Sequence, residues 1–372
     1  MSCPIGNETQ QIESQAKNEE AKLDYSKYLQ LDTLFSAMNL RSKVHDEHLF
    51  IIIHQAYELW FKQVIYEIDS IREIFMQPKV DESHMLKINS RLNRVNKIFT
   101  VLVDQMKILE TMTPLDFMDF RNVLETSSGF QSWQFRIIEN KLGVKKVNRI
   151  KHNKADYSEA LNAEYRNLVE LSEKEPSLFA LLEKWLERTP GLEDESFDFI
   201  TEFSKSCKLW FNQQRLEAEK EDEEARELLL NAIAKREEEY EKISDPAKYD
   251  VLLARCEMFL SRKAVFGALM ISFYRDEVIF HQPFTMLHLL MDIDVCIMKW
   301  RNNHALLVQR MLGSNLGSGG SSGYSYLRAT ISDRYKAFQD FFLLSNFALP
   351  RQYIPHLHIN TRKRMSSVSM DN

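Results

Sequence analysis

The chain has 372 residues, 44% of them apolar and 27% charged, and a formal net charge of −6. That length accommodates one large domain or two, and the acidic balance excludes a nucleic-acid protein built on a domain-wide basic surface. With 10 glycines and 9 prolines the chain carries few breakers, so long helices are expected rather than short strands and turns.

Four cysteines, Cys3, Cys207, Cys256 and Cys296, stand far apart with no CxxC spacing, which points to free thiols in a reducing compartment, the cytoplasm. No apolar segment of the secretory type opens the chain, and no run of about 18 apolar residues exists, so neither a leader nor a membrane span is expected.

Residues 1–22 are polar and poor in aromatics and read as a disordered tail. Tyr25 and Tyr28 follow, three apart, and share a helix face; the ordinary reading of such a pair is core tyrosines. The strongest helical pattern runs over 44–75, where Phe50, Ile53, His54, Tyr57, Trp60, Phe61, Val64 and Ile68 recur at helical spacing. His54 therefore sits inside an aromatic stripe. A histidine there is ordinarily a packed residue, but it is also the group most readily tuned near neutral pH. His45 and His48 stand beside Asp46 and Glu47 at the helix start, where solvated charge is normal, so they are not read as metal ligands.

A second long helix is expected over about 80–112, with Met85, Leu92, Val95, Phe99, Leu102, Met106 and Leu109 buried. Thr113, Pro114 and Asp116 then form a capping-box-like start. The new helix projects Phe117 and Arg121 together at i, i+4. Arg121 reads either as a snorkelling or paired surface arginine or as a bidentate clamp on a carboxylate. Residues 126–129 (Thr-Ser-Ser-Gly) form a hydroxyl-rich turn, and 130–136 reads as a further helix. Two more helices are expected in 150–190, broken at Pro176 and at Thr189-Pro190-Gly191.

Residues 195–250 differ in composition. Between 217 and 242 Glu, Lys and Arg dominate around a thin apolar line of Leu228, Leu229, Ile233 and Tyr240, which predicts a long, exposed, charge-laced helix in a smaller lobe. Residues 251–280 return to dense apolar helix. Ile297, Trp300, His304, Leu307, Val308 and Met311 then share a stripe, again with a histidine on an apolar face. Five of the ten glycines fall between Gly313 and Gly323, so a special loop begins two turns after His304. It lacks the Gly-Lys-Ser/Thr of a phosphate loop, and no preceding strand supports a dinucleotide fingerprint. Residues 324–347 are expected to resume helix, and 359–372 reads as a flexible tail.

From the residues alone the chain is all-α: a large helical-bundle domain over 23–194 and 251–358, with a small charged lobe over 195–250. Two core histidines, an arginine beside a phenylalanine and a Gly/Ser loop are candidates for one pocket, and two histidines on different long helices could face each other across a planar cofactor. The pattern does not identify that cofactor. A helical interaction protein, with the charged helix as its partner surface, is an alternative at this level.

Several long blocks resemble the tryptophan 2,3-dioxygenase family of haem dioxygenases. They are His45-Asp-Glu-His-Leu-Phe50, His54-Gln-Ala-Tyr-Glu-Leu-Trp-Phe-Lys-Gln63, Thr113-Pro-Leu-Asp-Phe-Met-Asp-Phe-Arg121, Ser128-Gly-Phe-Gln131, Glu187-Arg-Thr-Pro-Gly-Leu-Glu193, Met291-Asp-Ile-Asp294 and Gly317-Ser-Gly-Gly-Ser-Ser-Gly-Tyr324. The resemblance spans about residues 23–358. It implies an all-helical homotetramer, a dimer of dimers, built around non-covalent haem b with ferrous iron, inserting both atoms of O2 into the indole C2–C3 bond of L-tryptophan to give N-formyl-L-kynurenine, the first step of the kynurenine pathway. It implies His304 as the axial iron ligand, His54 as the residue that meets the indole N–H, Phe50 as an aromatic wall, Phe117 as packing and Arg121 as the carboxylate clamp. Ser128 would lie near the haem edge, and Tyr25 and Tyr28 would enter a neighbouring subunit's pocket. One position departs: where the family's Gly-x-Gly-Gly loop usually carries threonine, this chain has Ser318, which keeps the hydroxyl that meets the substrate and loses the methyl. A haem-based gas or redox sensor on the same scaffold, binding haem through His304 without turnover, is the alternative function.

Overall fold

The computed structural model describes residues 23–80, 82–150, 157–194, 197–313, 315, 323–357 and 361–362. The expected tails, 1–22 and nearly all of 359–372, lie outside the described residues. The fold is all-α, as the shortage of breakers implies; among the described residues the only strands are Glu193–Asp194 and Phe197–Asp198, paired antiparallel.

Three long helices frame the molecule: α3 (His45–Phe75), α4 (Glu82–Leu109) and α13 (Val278–Leu312). They are preceded by two short helices, α1 (Tyr25–Leu29) and α2 (Leu31–Ser36). In α3 the stripe Ile53, Tyr57, Phe61, Val64, Ile68, Ile71 and Phe75 is buried, which is the helical period read from the sequence. Glu47 in its first turn folds back to accept from the backbone N–H groups of Arg41 and Ser42, each at 2.7 Å, and from the Ser42 hydroxyl at 2.6 Å. The carboxylate thus pins the approach segment to the helix N-terminus, where negative charge is favoured.

Both α3 and α13 pack lengthwise on α4 but hardly on each other. Buried amides lock this arrangement: Asn89 donates to the Gln282 carbonyl at 3.0 Å and Asn96 to the Leu289 carbonyl at 2.9 Å, while Tyr57 donates to the Leu102 carbonyl at 2.7 Å. The outcome is a gap between α3 and α13 with α4 as its back wall.

The chain runs on through α5 (Pro114–Arg121), α6 (Trp133–Leu142), α7 (Ala163–Lys174) and α8 (Leu178–Leu186). The Thr113 capping box is present: the Thr113 hydroxyl accepts from the Asp116 N–H, and Asp116 accepts from the Thr113 N–H at 2.9 Å. The helix expected over 130–136 starts instead as a 3-10 turn, Gly129–Gln131, and becomes α-helical at Trp133, where Ser132 caps it.

The charged stretch forms the expected long helix from Glu223 on: α9 (Phe199–Ala218) ends just inside the stretch, and α10 (Glu223–Ser244) starts with Asp222 as a new N-cap. α10 is exposed except along Ile233, Tyr240 and Ile243. Its buried edge joins the main core: Tyr240 packs on Phe203 and Phe347 and donates to the Ala348 carbonyl at 2.6 Å.

The apolar run over 251–280 also divides, into α11 (Pro246–Ala254) and α12 (Arg262–Phe273). Cys256 takes a left-handed backbone, φ 56°, and Ser261 caps α12. The expected helix over 324–347 breaks into α14 (Gly323–Ala329), α15 (Gln339–Leu343) and two 3-10 turns. Buried carboxylates explain this break. Asp294 on α13 accepts from the N–H of Ala337 at 3.0 Å and of Phe338 at 2.7 Å, diverting backbone donors that a helix would use.

Candidate active site

Each side chain of the candidate site comes from a helix bordering the gap. His54 lies on α3, one turn after Phe50 and one turn before Tyr57. Its Nδ1 stands 2.6 Å from the Phe50 carbonyl oxygen. A carbonyl only accepts, so the proton sits on Nδ1 and the Nε2 lone pair faces away from the helix. Burial lowers the His54 pKa from its ordinary value, against the opposing pull of the Phe50 carbonyl and Glu58, so the ring is neutral at neutral pH.

His304 lies on α13, one turn after Trp300, whose indole packs against it at 5.4 Å. Burial lowers its pKa to about 4, helped by any charge on His54 and by Arg301. The two imidazoles are therefore close enough for charge on one to be felt at the other. Dense protein surrounds both rings, yet His54 is exposed and His304 partly exposed to solvent. That combination describes side chains facing a hollow rather than packed in a core. Neither ring nitrogen of His304 has a hydrogen-bond partner among the described residues.

Trp300 closes the inner end of the gap, in contact with Tyr57 and Phe61 on α3 (6.1 Å each) and Phe135 on α6 (4.9 Å). The mouth on the His54 side is aromatic. Phe50 lies 4.1 Å from the His54 ring, 5.9 Å from Phe117 and 5.5 Å from Phe120, while Phe117 and Phe120 meet edge-on at 5.4 Å. The capping box aims α5 so that Phe117 joins this wall, and Arg121, one turn on, is half-buried with Nη1 3.8 Å from the Met118 sulfur.

Ser128 caps the 3-10 turn, its hydroxyl accepting from the Phe130 N–H at 3.3 Å. Phe130 in turn packs on Tyr326 of α14 at 5.2 Å. The helix after the glycine-rich loop folds back on α13: a Cβ at Gly323 would lie 3.6 Å from Val308, one turn beyond His304. The Gly323 end of that loop thus lies one turn beyond the histidine, and the Gly313 end caps the same helix. Ser318 itself lies outside the described residues. Tyr25 and Tyr28 do not join this chain's pocket; they are 75% and 72% exposed on α1, which packs chiefly on α2.

Sequence reading named Trp300 only as a stripe residue and did not find the charges behind His304. The side chains of Arg136, Glu139, Arg149 and Arg301 converge there, each more than nine-tenths buried. The available signal was an Arg-x-x-Glu pair inside α6, which is buried on nearly all sides.

No group of three or more His, Cys, Asp or Glu side chains suited to a metal exists among the described residues. A lone neutral imidazole facing a hollow suits a metal whose other ligands come from a macrocycle. The apolar and aromatic walls suit a flat hydrophobic ring. On this evidence the donor set fits a haem.

Fold and site thus define an all-helical protein with a two-histidine slot suited to a planar metal cofactor. Comparison with known proteins narrows the class. The family model for tryptophan 2,3-dioxygenase matches residues 8–348. The tryptophan 2,3-dioxygenase of Aedes aegypti is 51% identical over 98% of this chain and 95% of its own length, and that of Anopheles gambiae is 52% identical over 93% and 91%. The chain belongs to the tryptophan 2,3-dioxygenase family.

Proposed function

We propose that the chain is a haem-dependent dioxygenase that adds both atoms of O2 across the indole C2–C3 bond of L-tryptophan, giving N-formyl-L-kynurenine. The observation that carries this reading is the pair of neutral histidines, His54 and His304, facing one slot between α3 and α13. Haem b, bound there in the ferrous state, would supply the oxygen chemistry. His304 would hold the iron by its unprotonated nitrogen, since an imidazole held neutral keeps its lone pair for a metal.

His54 positions the substrate. With Nδ1–H committed to the Phe50 carbonyl, Nε2 accepts from the indole N–H and sets the orientation of the ring. Its lowered pKa keeps it an acceptor through the neutral range. Phe50 and Phe117 flank the indole and exclude water, and the planar fork of Arg121 receives the carboxylate. Ser128 lies at the cofactor edge, and the Ser318 hydroxyl meets the polar end of the amino acid.

Exposure of Tyr25, Tyr28, Leu34 and Phe35 on α1 and α2 supports a homotetramer, a dimer of dimers, in which these helices cover a neighbour's pocket. The free thiols Cys207, Cys256 and Cys296 and the need for ferrous iron suit the cytoplasm. No described helix is long and apolar enough to cross a membrane. The relatives, each named for the dioxygenase, lend no support to a sensor.

The test is to mix ferrous, haem-loaded protein with L-tryptophan in air and assay product. Catalytic accumulation of N-formyl-L-kynurenine is expected, and its absence with the haem in place would overturn the enzyme reading.

A further inference from the structure

Behind His304, away from the aromatic mouth, the protein buries three guanidinium groups around one carboxylate. Arg136 Nη1 lies 3.3 Å from Glu139 Oε2, Arg149 Nη1 lies 3.8 Å from the same oxygen, and Arg301 Nη2 donates to Glu139 Oε1. Their side chains are 8%, 4% and 5% exposed, and that of Glu139 is 3% exposed. Arg149 is held further by Asn140 Oδ1 at 2.5 Å.

One carboxylate cannot neutralise three guanidiniums. Burial alone would raise the Glu139 carboxyl, but Arg149, Arg301 and Arg136 outweigh it and hold it down at about 2, so it is fully ionised and the cluster keeps an excess of two positive charges. Among the described residues the next acidic groups do not cancel that excess. Glu173 receives the Tyr157 hydroxyl and pairs with Lys146 at 3.3 Å. Asp294 spends its oxygens on the N–H groups of Ala337 and Phe338, and counting it as ionised still leaves the cluster positive.

The surplus is stabilised by π faces instead. Phe130 and Tyr157 lie under Arg136, Tyr157 under Arg149, and Phe135 and Tyr335 under Arg301, at 4.2–5.9 Å. Four guanidinium nitrogens, Arg136 Nε, Arg149 Nε and Nη1 and Arg301 Nε, are buried without a hydrogen-bond partner. Keeping so much unmatched positive charge in a dry region is costly, and well-packed apolar residues would fill the same volume more cheaply. Something must benefit from the field. The site at His304 is within reach of that field: Arg301 precedes it by three residues, shares its helix face and is felt at the imidazole. Phe135 and Trp300 form an aromatic bridge between cluster and ligand.

We propose that the Arg136–Glu139–Arg149–Arg301 cluster sets the redox poise of the iron at His304, its surplus positive charge favouring the ferrous over the ferric state. The inference rests on the haem reading given above. Ferric haem carries one more positive charge than ferrous haem, and a fixed positive field in a low-dielectric interior penalises the more positive state. Around Phe50 and His54 on α3 the ring contacts among the described residues are aromatic, so the field acts on the iron from the ligand side.

The experiment is a spectroelectrochemical titration of the haem-loaded, substrate-free protein, comparing wild type with Glu139→Gln, Arg149→Gln and the double variant. Glu139→Gln adds a net positive charge and is expected to raise the ferric/ferrous midpoint potential. Arg149→Gln removes one and is expected to lower it. The double variant restores the wild-type charge sum and is expected to return toward the wild-type value, a pattern that loosened packing would not produce. Should Glu139→Gln fail to accumulate, the fall in Arg149→Gln and its reversal in the double variant carry the test. Equal potentials in all proteins, or single variants shifted in the same direction, with haem content and ferrous ligation unchanged, would overturn the proposal. A wild-type protein that takes up no haem would instead overturn the parent reading and remove the basis for this one.

Discussion

On the α3 side of the slot, His54 stands among Phe50, Phe117 and Phe120, and its one hydrogen bond runs to a carbonyl of its own helix. On the α13 side, His304 makes no such bond among the described residues and is backed by Trp300 and a charged cluster assembled from α6, α13 and the segment after α6. Both rings are neutral, but for different purposes. The first is fixed as an acceptor by a local bond in an apolar mouth, which suits recognition of an N–H. The second keeps its lone pair uncommitted in front of fixed positive charge, which suits a metal. A substitution on the α3 side should therefore act on the substrate, and one on the α13 side on the cofactor.

The largest expected effect is that of His304→Ala. It removes the imidazole proposed as the ligand on the α13 side, so haem affinity or axial ligation is lost and activity falls to background; an unchanged five-coordinate ferrous spectrum in this variant would remove His304 from the ligand role. Next comes Arg121→Ala. A hydrogen bond to a charged group contributes about 1.5–3 kcal/mol, so the dissociation constant for L-tryptophan should rise roughly tenfold to a hundredfold while haem content stays at the wild-type level. Equal affinity in the two proteins would take Arg121 out of the pocket.

Acid sharpens the contrast from the other direction. In the folded chain the His304 pKa is lowered to about 4 from the ordinary 6.5. The folded state then binds a proton less readily than the unfolded state. Stability is complete above about pH 6.5 and is lost as the pH falls toward 4, by up to about 3 kcal/mol. Denaturant titration of the apoprotein between those limits should show this loss, and His304→Ala should flatten it; a slope that survives the substitution would assign it elsewhere. The smallest effect is predicted for His54→Ala. A neutral hydrogen bond is worth about 0.5–1.5 kcal/mol, so kcat/KM should drop by roughly twofold to tenfold, with the ferric/ferrous potential unmoved. Complete loss of turnover would mean that His54 transfers a proton rather than positions the indole.

The α3 side was the more legible in sequence because its parts are local. The stripe from Phe50 to Ile68 repeats at helical spacing, and Phe117 and Arg121 follow a capping box written in consecutive residues. The α13 side depends on residues far apart in the chain: Arg301 meets Glu139 across 162 positions, and no periodicity reports such a meeting. Helix breaks were missed for a similar reason. The run over 251–280 is dense in apolar residues and holds no proline, and its one glycine, Gly267, lies inside a helix, so nothing in its pattern marks the left-handed turn at Cys256. The end of the chain past Tyr324 is broken by Asp294, which takes the N–H groups of Ala337 and Phe338 from 43 and 44 positions away. Short-range chemistry foretold elements and caps, while buried charge had to be seen in three dimensions.

The most direct test of the two-sided slot is the anaerobic absorption spectrum of the ferrous, haem-loaded protein with and without L-tryptophan. A five-coordinate ferrous haem is predicted, with one imidazole ligand, and its spectrum should shift on adding L-tryptophan in wild type but only at much higher concentration in Arg121→Ala. A six-coordinate spectrum that L-tryptophan leaves untouched would mean that His54 and His304 both bind the iron, and would contradict a slot divided between substrate and cofactor.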